Sequence, residues 1–274
     1  MSRKAWRVKT CMAVFFLTVF ASSAGSQQPL VQAIGNGEVN WSEQVIRATG
    51  SGVPNPEVPN VAAARIGAER AAKADALRNI LETLKGVRVD SQTLVVNAMT
   101  QSDMIRTQVQ GIVRGAKVVD KRYLPDGAVE VTVEIPMTGP LAQALLPPTA
   151  FGSQSVPKAG NPVYTGIVLD SRGLNLRPAM APKVFDEDGR EVYGSAFVSQ
   201  EWATKYGILG YVKDLDAAQK NDRVATNPLL IKAVKVTGTG GSDIVISSAD
   251  AQGLRDLTKN LSFLEQCRAL AVVD

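Results

Sequence analysis

The longest run of helical hydrophobic periodicity in this chain lies between residues 61 and 85. Its large apolar side chains fall within about a third of the helical circumference, with Ala63 and Ala74 on the edge of this face: Ile66, Leu77, Ile80, Leu81 and Leu84. Asn60 can cap the first turn, and Gly86 is a typical terminating residue. The pattern therefore predicts a helix over 61–85.

Two basic residues interrupt the apolar face of this helix. On a helical wheel Arg70 and Lys73 point into the apolar sector. They could form a basic site for an anionic ligand or partner. Alternatively, this half of the helix overhangs the sheet, or the side-chain stems lie on apolar surface with their charged ends in water. Glu69 is placed to pair with Arg65 and Lys73 at i,i+4.

Strand signals surround the helix. Apolar and polar residues alternate strictly over 129–135, which predicts a half-buried antiparallel strand with one wet face. A shorter strand is predicted over 44–49, a short helix near 100–107 and a long uneven strand over 111–123. The order of these elements predicts a two-layer domain, with one sheet and the long helix packed across it.

The second half of the chain has a mixed pattern as well. The turn residues Asp186 to Gly189 lie between two apolar segments and predict a hairpin. A second hairpin is predicted over 229–247, and a final helix begins at Ser247 or Ser248 with Leu254, Leu257 and Leu261 at helical spacing. The remaining predictions are strands over 163–169 and 269–273 and short helices over 200–206 and 214–220.

Composition suggests how the chain is divided. Proline and glycine are concentrated between residues 136 and 162, which disfavours regular structure there. We therefore predict a signal peptide over 1–24, an N-terminal arm over 25–39, a domain over 40–146, a Pro/Gly linker over 147–162 and a second domain over 163–274. The predicted fold class is α+β, with two two-layer domains, each a mostly antiparallel sheet packed with helices.

The first 24 residues have the layout of a secretory signal peptide. A basic start precedes an apolar run over 11–21, and small residues follow, with cleavage predicted after Ala24. The apolar run is shorter than the roughly 20 residues that a membrane-spanning helix needs. We therefore expect an exported, periplasmic protein with no transmembrane segment in the mature chain.

Removal of this leader changes the charge balance. The whole chain has 30 Lys and Arg against 26 Asp and Glu, and the leader holds four of the basic residues, so 26 of each remain. A neutral chain gives no electrostatic reason to expect a nucleic-acid partner. It also has little colloidal repulsion, which favours self-association or an envelope protein as partner.

Several catalytic chemistries are absent. The chain has no histidine, which excludes Ser-His-Asp and Cys-His catalysis and imidazole zinc sites. Cys11 leaves with the leader, so Cys267 remains alone. We interpret it as a small apolar residue packed near the C-terminus, and an intermolecular bridge or a reactive thiol stays open as an alternative. We predict no metal, no cofactor and no enzymatic activity. Acid–base catalysis by carboxylates alone stays open as an alternative.

Four segments of the first domain carry a family resemblance: 45–52, the Ala-rich stretch 62–77, 109–115 and 125–133. Together they resemble the small outer-membrane lipoproteins first described as twenty-kilodalton surface antigens, and the N-terminal domain of flagellar assembly protein T. The resemblance covers roughly 40–137 and implies a periplasmic or outer-membrane role in envelope or flagellar assembly, with no shared enzyme activity. No lipobox precedes Cys11, which departs from the lipoproteins.

These observations predict a non-catalytic periplasmic envelope protein that acts as a docking or assembly module, with an association to the outer membrane or the flagellar basal body among its expected roles. Two alternatives stay open. One is a carboxylate-dependent periplasmic hydrolase. The other is a carrier of a small anionic ligand or lipid, with Arg70 and Lys73 at its head group.

Overall fold

The structure is a computed structural model that describes residues 28–146, 151–154, 163–256 and 261–274. The predicted signal peptide and most of the predicted linker lie outside these residues. The first half of the chain forms a five-stranded sheet that is antiparallel throughout. In spatial order its strands are β1 (Val31–Ile34), β2 (Gly37–Asn40), β3 (Val45–Gly52), β5 (Val129–Pro136) and β4 (Lys117–Tyr123).

The predicted long helix is confirmed as α1 (Val61–Lys85), which packs on β3 and β5. The Asn60 side chain accepts hydrogen bonds from the backbone N–H groups of Ala62 and Ala63, and Gly86 follows the last turn. The first turn is therefore capped as the sequence predicts.

The buried face of α1 differs from the predicted one. Its buried positions repeat every four residues and are mostly alanine: Ala64, Ala68, Ala72, Ala76, Ile80 and Leu84. Ile66 is 53% exposed. The cause is the close approach of α1 to β3, where a Cβ atom at Gly50 would lie 2.0 Å from the Ala76 nitrogen. Only small side chains fit there, so the larger Ile66 is turned outward.

The region after α1 also differs from the prediction. The helix predicted near 100–107 is two helices, α2 (Val95–Gln101) and α3 (Asp103–Arg114), separated by Ser102 in an extended conformation. The Ser102 hydroxyl accepts from the Ile105 N–H, so α3 has its own N-cap. The strand predicted over 111–123 is wrong for its first half, because α3 continues to Arg114 and buries Val109 and Val113 one turn apart.

The predicted N-terminal arm belongs in part to the sheet. Residues 31–40 form the β1–β2 hairpin, with Gly35 at φ +57° in its two-residue turn. A glycine in this conformation matches the twist of the flanking strands. The hairpin adds two strands to the edge formed by β3, and β1 lies at the end of the sheet.

The second half of the chain forms a seven-stranded sheet. In spatial order its strands are β8 (Glu191–Tyr193), β7 (Val184–Phe185), β11 (Asp243–Ile246), β10 (Pro228–Thr237), β6 (Gly166–Asp170), β12 (Ala269–Val272) and β9 (Gly210–Val212). The predicted hairpins β7–β8 and β10–β11 are confirmed.

The prediction of a mostly antiparallel second sheet is wrong. Neighbours are parallel from β10 through β6 and β12 to β9, and β11 is parallel to β7. The residues of β12 are all buried, as are four of the five in β6, which is typical of parallel strands covered on both faces. Long connections through helices join these strands, whereas the antiparallel hairpins have short turns.

The helices of the second half are α5 (Gln200–Tyr206), α6 (Leu215–Gln219), α7 (Ser248–Asp256) and α8 (Ser262–Glu265). The first three lie where the sequence predicts helices, although Leu257 lies outside the described residues. The described residues thus form two sheets with eight α-helices, counting α4 (Pro140–Leu145) after β5. This mixed α/β architecture in two parts confirms the predicted combination of helices and sheets, whereas the strand directions of the second sheet differ from the prediction.

Contacts between the two parts hold them together as one unit. The Trp41 ring lies 5.6 Å from the Tyr211 ring in an edge-on arrangement, and the Tyr211 hydroxyl exchanges hydrogen bonds with the Ala179 backbone. The backbone N–H of Met180 donates to the carbonyl of Arg88. Buried residues of both parts belong to one continuous hydrophobic cluster, so the two sheets share a core.

Candidate functional site

A groove open to solvent lies between α3 and α4. Its volume is about 830 Å³. The helix α3 forms one wall and α4 the other, and Gln200 at the start of α5 also lines the groove. The principal lining side chains are those of Met104, Ile105, Gln108, Ile112, Pro140 and Leu145. We call this feature the docking groove.

The two walls of the docking groove are fixed from beneath. Val109 and Val113 anchor α3 in the core, which directs the neighbouring side of the helix toward the groove. On α4, Leu141 and Leu145 are buried, and the Gly139 N–H just before the helix donates to the Thr204 carbonyl at 2.7 Å. The second part of the chain therefore helps to position the wall formed by α4.

The surface of the docking groove is formed by apolar side chains and by the side-chain amides of glutamines. None of its described lining residues carries an ionisable side chain. Met104 is 71% exposed, and a flexible thioether side chain adapts well to different apolar partners. A Cβ atom at Gly111 would meet nothing within 4 Å, so this glycine leaves bare helix backbone at the groove.

The predicted contact residues Arg70 and Lys73 do not line the docking groove. Both side chains are exposed on the outer side of α1, because the helix packs its opposite face, with the buried alanines, on the sheet. Glu69 does not pair with Lys73 as predicted. It forms an ion pair with Lys121 on β4 and accepts from the Tyr123 hydroxyl. No ion pair of Arg70 or Lys73 is found among the described residues.

Contact of Arg70 and Lys73 with an anionic ligand stays a prediction. Because both side chains are exposed, replacing both with alanine should change the free energy of unfolding by less than about 0.5 kcal/mol. If they hold a lipid head group, the variant should lose binding to vesicles of anionic phospholipid, measured by co-sedimentation. Arg78→Ala on the same helix is the matched control, and equal binding by all three proteins would reject the site.

Carboxylates suited to hydrolysis would need one group with a raised pKa to act as an acid. Among the described residues, the three carboxyl groups with clearly shifted pKa values have lowered pKa values instead. Hydrogen bonds from Lys121 and from Arg172 hold the pKa values of Glu69 and Asp170 below the usual range. Burial alone would raise the pKa of Asp186, but hydrogen bonds from Arg255 and Arg190 outweigh it and lower the pKa to about 2.

The hydrogen bonds of Asp186 predict how the free energy of unfolding changes at acid pH. Its Oδ2 atom accepts from Arg190 Nε at 2.9 Å and from Arg255 at 2.7 Å. A carboxyl group whose pKa falls from 3.8 to about 2 on folding stabilises the protein above pH 3.8, and this contribution is lost as the pH falls through about 2. Asp186→Asn should therefore flatten this part of the stability–pH curve, measured by urea unfolding.

The matched control for this prediction is Asp103→Asn, since the Asp103 side chain is 92% exposed. We expect its stability–pH curve to keep the shape of the parent curve. Equal flattening in both variants would contradict a special contribution from Asp186.

The remaining cysteine is part of the core, as predicted. Cys267 is buried beside Tyr193 and Arg223, and burial raises the pKa of its thiol to about 12. A thiol with so high a pKa is protonated and unreactive at neutral pH.

Sequence reasoning did not find the docking groove. Met104, Gln108 and Gly111 become neighbours on one wall only once 103–114 is known to be helical. The helical spacing of Ile105, Val109, Ile112 and Val113 was the feature of the sequence that could have predicted this helix. The strand predicted over 111–123 hid it, because β-branched residues are common in both strands and buried helices.

Two comparisons with known proteins bear on these parts of the chain. Residues 35–136 match the family model of the LPP20 lipoprotein, and residues 166–274 match that of the second domain of Treponema pallidum Tp0624. No curated protein matches the chain. Neither match supports the predicted resemblance to flagellar assembly protein T. Among the described residues, no helix is both long and apolar enough to span a membrane.

Each match covers less than half of the chain, and each corresponds to one of the two sheets with its helices. The first match supports the predicted relation to bacterial lipoproteins of the envelope. It does not extend to the second sheet. The first part of this chain is thus similar to an LPP20 lipoprotein, and the second part to the second domain of Tp0624.

Proposed function

We propose that this chain is a non-catalytic envelope protein that docks a helix of a partner protein in the docking groove. The main support for this proposal is the open apolar groove between two helices that are anchored in the core. None of its described lining residues has an ionisable side chain. The similarity to a lipoprotein family supports the envelope location. The lowered pKa values of Glu69, Asp170 and Asp186 make these three carboxyl groups unsuitable as the acid of the alternative hydrolase.

The proposed occupant is the apolar face of an amphipathic helix. Two helix walls form a trough into which a third helix can pack, in the manner of helix-in-groove recognition. Because none of the described residues that line the trough is charged, a charged side chain there would lose its hydration without gaining a partner among them. Gly111 lets the backbone of the occupant approach closely, and Gln108 and Gln143 can bond to polar groups beside its apolar face.

Two substitutions test the docking groove without disturbing the core. Gly111→Leu fills open space, and Met104→Glu places a charge on an exposed position of the wall. Each should reduce co-purification of the partner by about tenfold or more, since desolvating a charge or filling the trough costs more than 1.4 kcal/mol. Val53→Glu is the matched control, because Val53 is equally exposed and lies outside the groove.

Circular dichroism and urea unfolding should show that all three variants stay folded. Undiminished partner recovery with both groove variants would contradict the proposal. Binding of a fluorescent fatty acid to the parent protein but not to Gly111→Leu would identify a lipid as the occupant and overturn the helix. This outcome would favour the alternative carrier function.

The finer predictions of the sequence analysis remain proposals. Export through a signal peptide cleaved after Ala24 is tested by sequencing the N-terminus of the mature protein. An association with flagellar assembly rests on the sequence resemblance alone. Periplasmic rather than outer-membrane location is tested by fractionating cells after osmotic shock.

A further inference from the structure

The two edges of the first sheet differ in their protection against pairing with another strand. The edge strand β4 carries Lys117, Asp120, Lys121 and Arg122 and has a register shift between Val118 and Asp120. Charges and bulges of this kind discourage further strand pairing. The other edge strand, β1, has the sequence Val-Gln-Ala-Ile, without a charge or a proline, and its first three residues are exposed.

The β1–β2 register determines which backbone groups of β1 face outward. Leu30 accepts from the Trp41 N–H, and Gln32 lies opposite Val39 in the same hydrogen-bonded series. Along an antiparallel pair, residues that bond to the partner strand alternate with residues whose backbone groups point away from it. Val31 and Ala33 therefore direct both their N–H and C=O groups away from β2. These are the groups that a further strand would bind.

We propose that β1 of a second copy of this chain pairs antiparallel with β1 about a two-fold axis at Gln32. In this register Val31 lies opposite Ala33 of the second copy, and Ala33 lies opposite its Val31. All the outward N–H and C=O groups of these two residues are then bonded. Shifting the register by two residues would place Pro29, which has no N–H, opposite Ala33.

The side chains are complementary to themselves in the same register. Val31 meets Ala33, Leu30 meets Ile34, and Gln32 meets its own copy, so apolar residues face apolar residues and an amide faces an amide. No pair brings like charges together. The Gln32 Oε1 atom already accepts from Trp41 Nε1 at 2.9 Å, which leaves its amide nitrogen to donate across the axis.

A cysteine at the two-fold axis provides the first test, on the mature chain. Opposite residues in a non-hydrogen-bonded pair have Cα atoms about 4.5 Å apart, within disulfide range. Gln32→Cys should therefore form a disulfide-linked dimer under mild oxidation. Asn36→Cys, exposed in the turn of the same hairpin, should not, because its copies lie far from the axis. The native Cys267 is buried and does not compete.

Sedimentation equilibrium at high protein concentration provides the second test. The parent protein should self-associate, and Ala33→Pro should weaken association by about tenfold or more, since each copy loses an outward donor. The double variant Val31→Lys with Ala33→Lys should abolish association, because lysines of the two copies then lie opposite each other. The double variant Val31→Glu with Ala33→Lys should restore association, because opposite charges then meet. A monomeric parent protein, equal disulfide formation by both cysteine variants, or no difference between the two charge variants would overturn the proposal. These results do not depend on the docking groove.

Discussion

Alanine at Gly50 or Gly52 should destabilise the protein by about 3 kcal/mol or more, or prevent folding, because the new Cβ atom would overlap the backbone of α1. At Gly50 this atom would lie 2.0 Å from the Ala76 nitrogen, and at Gly52 it would lie 2.1 Å from the Ala68 carbonyl oxygen. Helix backbone cannot move aside as a flexible side chain can. Urea unfolding followed by circular dichroism measures the loss.

Gly67→Ala is the matched control for these substitutions. Gly67 lies on the exposed side of the same helix, and a Cβ atom there would meet nothing within 4 Å. We expect this variant to gain about 0.5 to 1 kcal/mol, the difference in helix propensity between the two residues. Similar losses at Gly50, Gly52 and Gly67 would contradict the close packing of α1 on β3.

Arg223→Ala should cost roughly 2 to 4 kcal/mol, because it leaves backbone carbonyl groups without their donor. The Arg223 guanidinium donates to the carbonyl oxygens of Cys267, Tyr206 and Gly207, at 2.9, 2.7 and 2.7 Å. Burial lowers the pKa of this guanidinium, which has no carboxylate beside it in these bonds. Arg223→Lys should recover part of the loss, since a lysine cannot reach all three acceptors in one plane.

Arg78→Ala serves as the control for loss of an arginine. Arg78 is 75% exposed and forms an ion pair with Asp75 at 3.5 Å, so its removal should change stability by less than about 0.5 kcal/mol. Urea unfolding of the three variants gives the comparison. A loss at Arg78 equal to that at Arg223 would contradict the structural role of the buried guanidinium.

Local signals predicted some elements well. The alternation over 129–135 gave β5, the Asn60 cap and Gly86 marked the limits of α1, and the Asp-Gly turn marked the β7–β8 hairpin. In each case the determining residues lie within a few positions of one another. Such short-range chemistry can be recognised in a single sequence.

The misassigned features depend on residues distant in sequence. A helical wheel weights large apolar residues, but the buried face of α1 was selected by glycines on β3, which admit only alanine. The parallel order of β6 and β12 depends on connections of many residues. The docking groove exists only because α3 and α4 meet in space, and α4 is held by Thr204 from the second part of the chain.

Photo-crosslinking in living cells from a photoreactive residue at Gln108 tests the docking groove most directly. Gln108 lines the groove without being buried in the core, so the substitution should leave the fold intact. We predict one major crosslinked envelope protein, joined through a segment with apolar residues at helical spacing, and loss of this product when Gly111→Leu is added. An absent product, or one that persists in the Gly111→Leu background, would contradict the account.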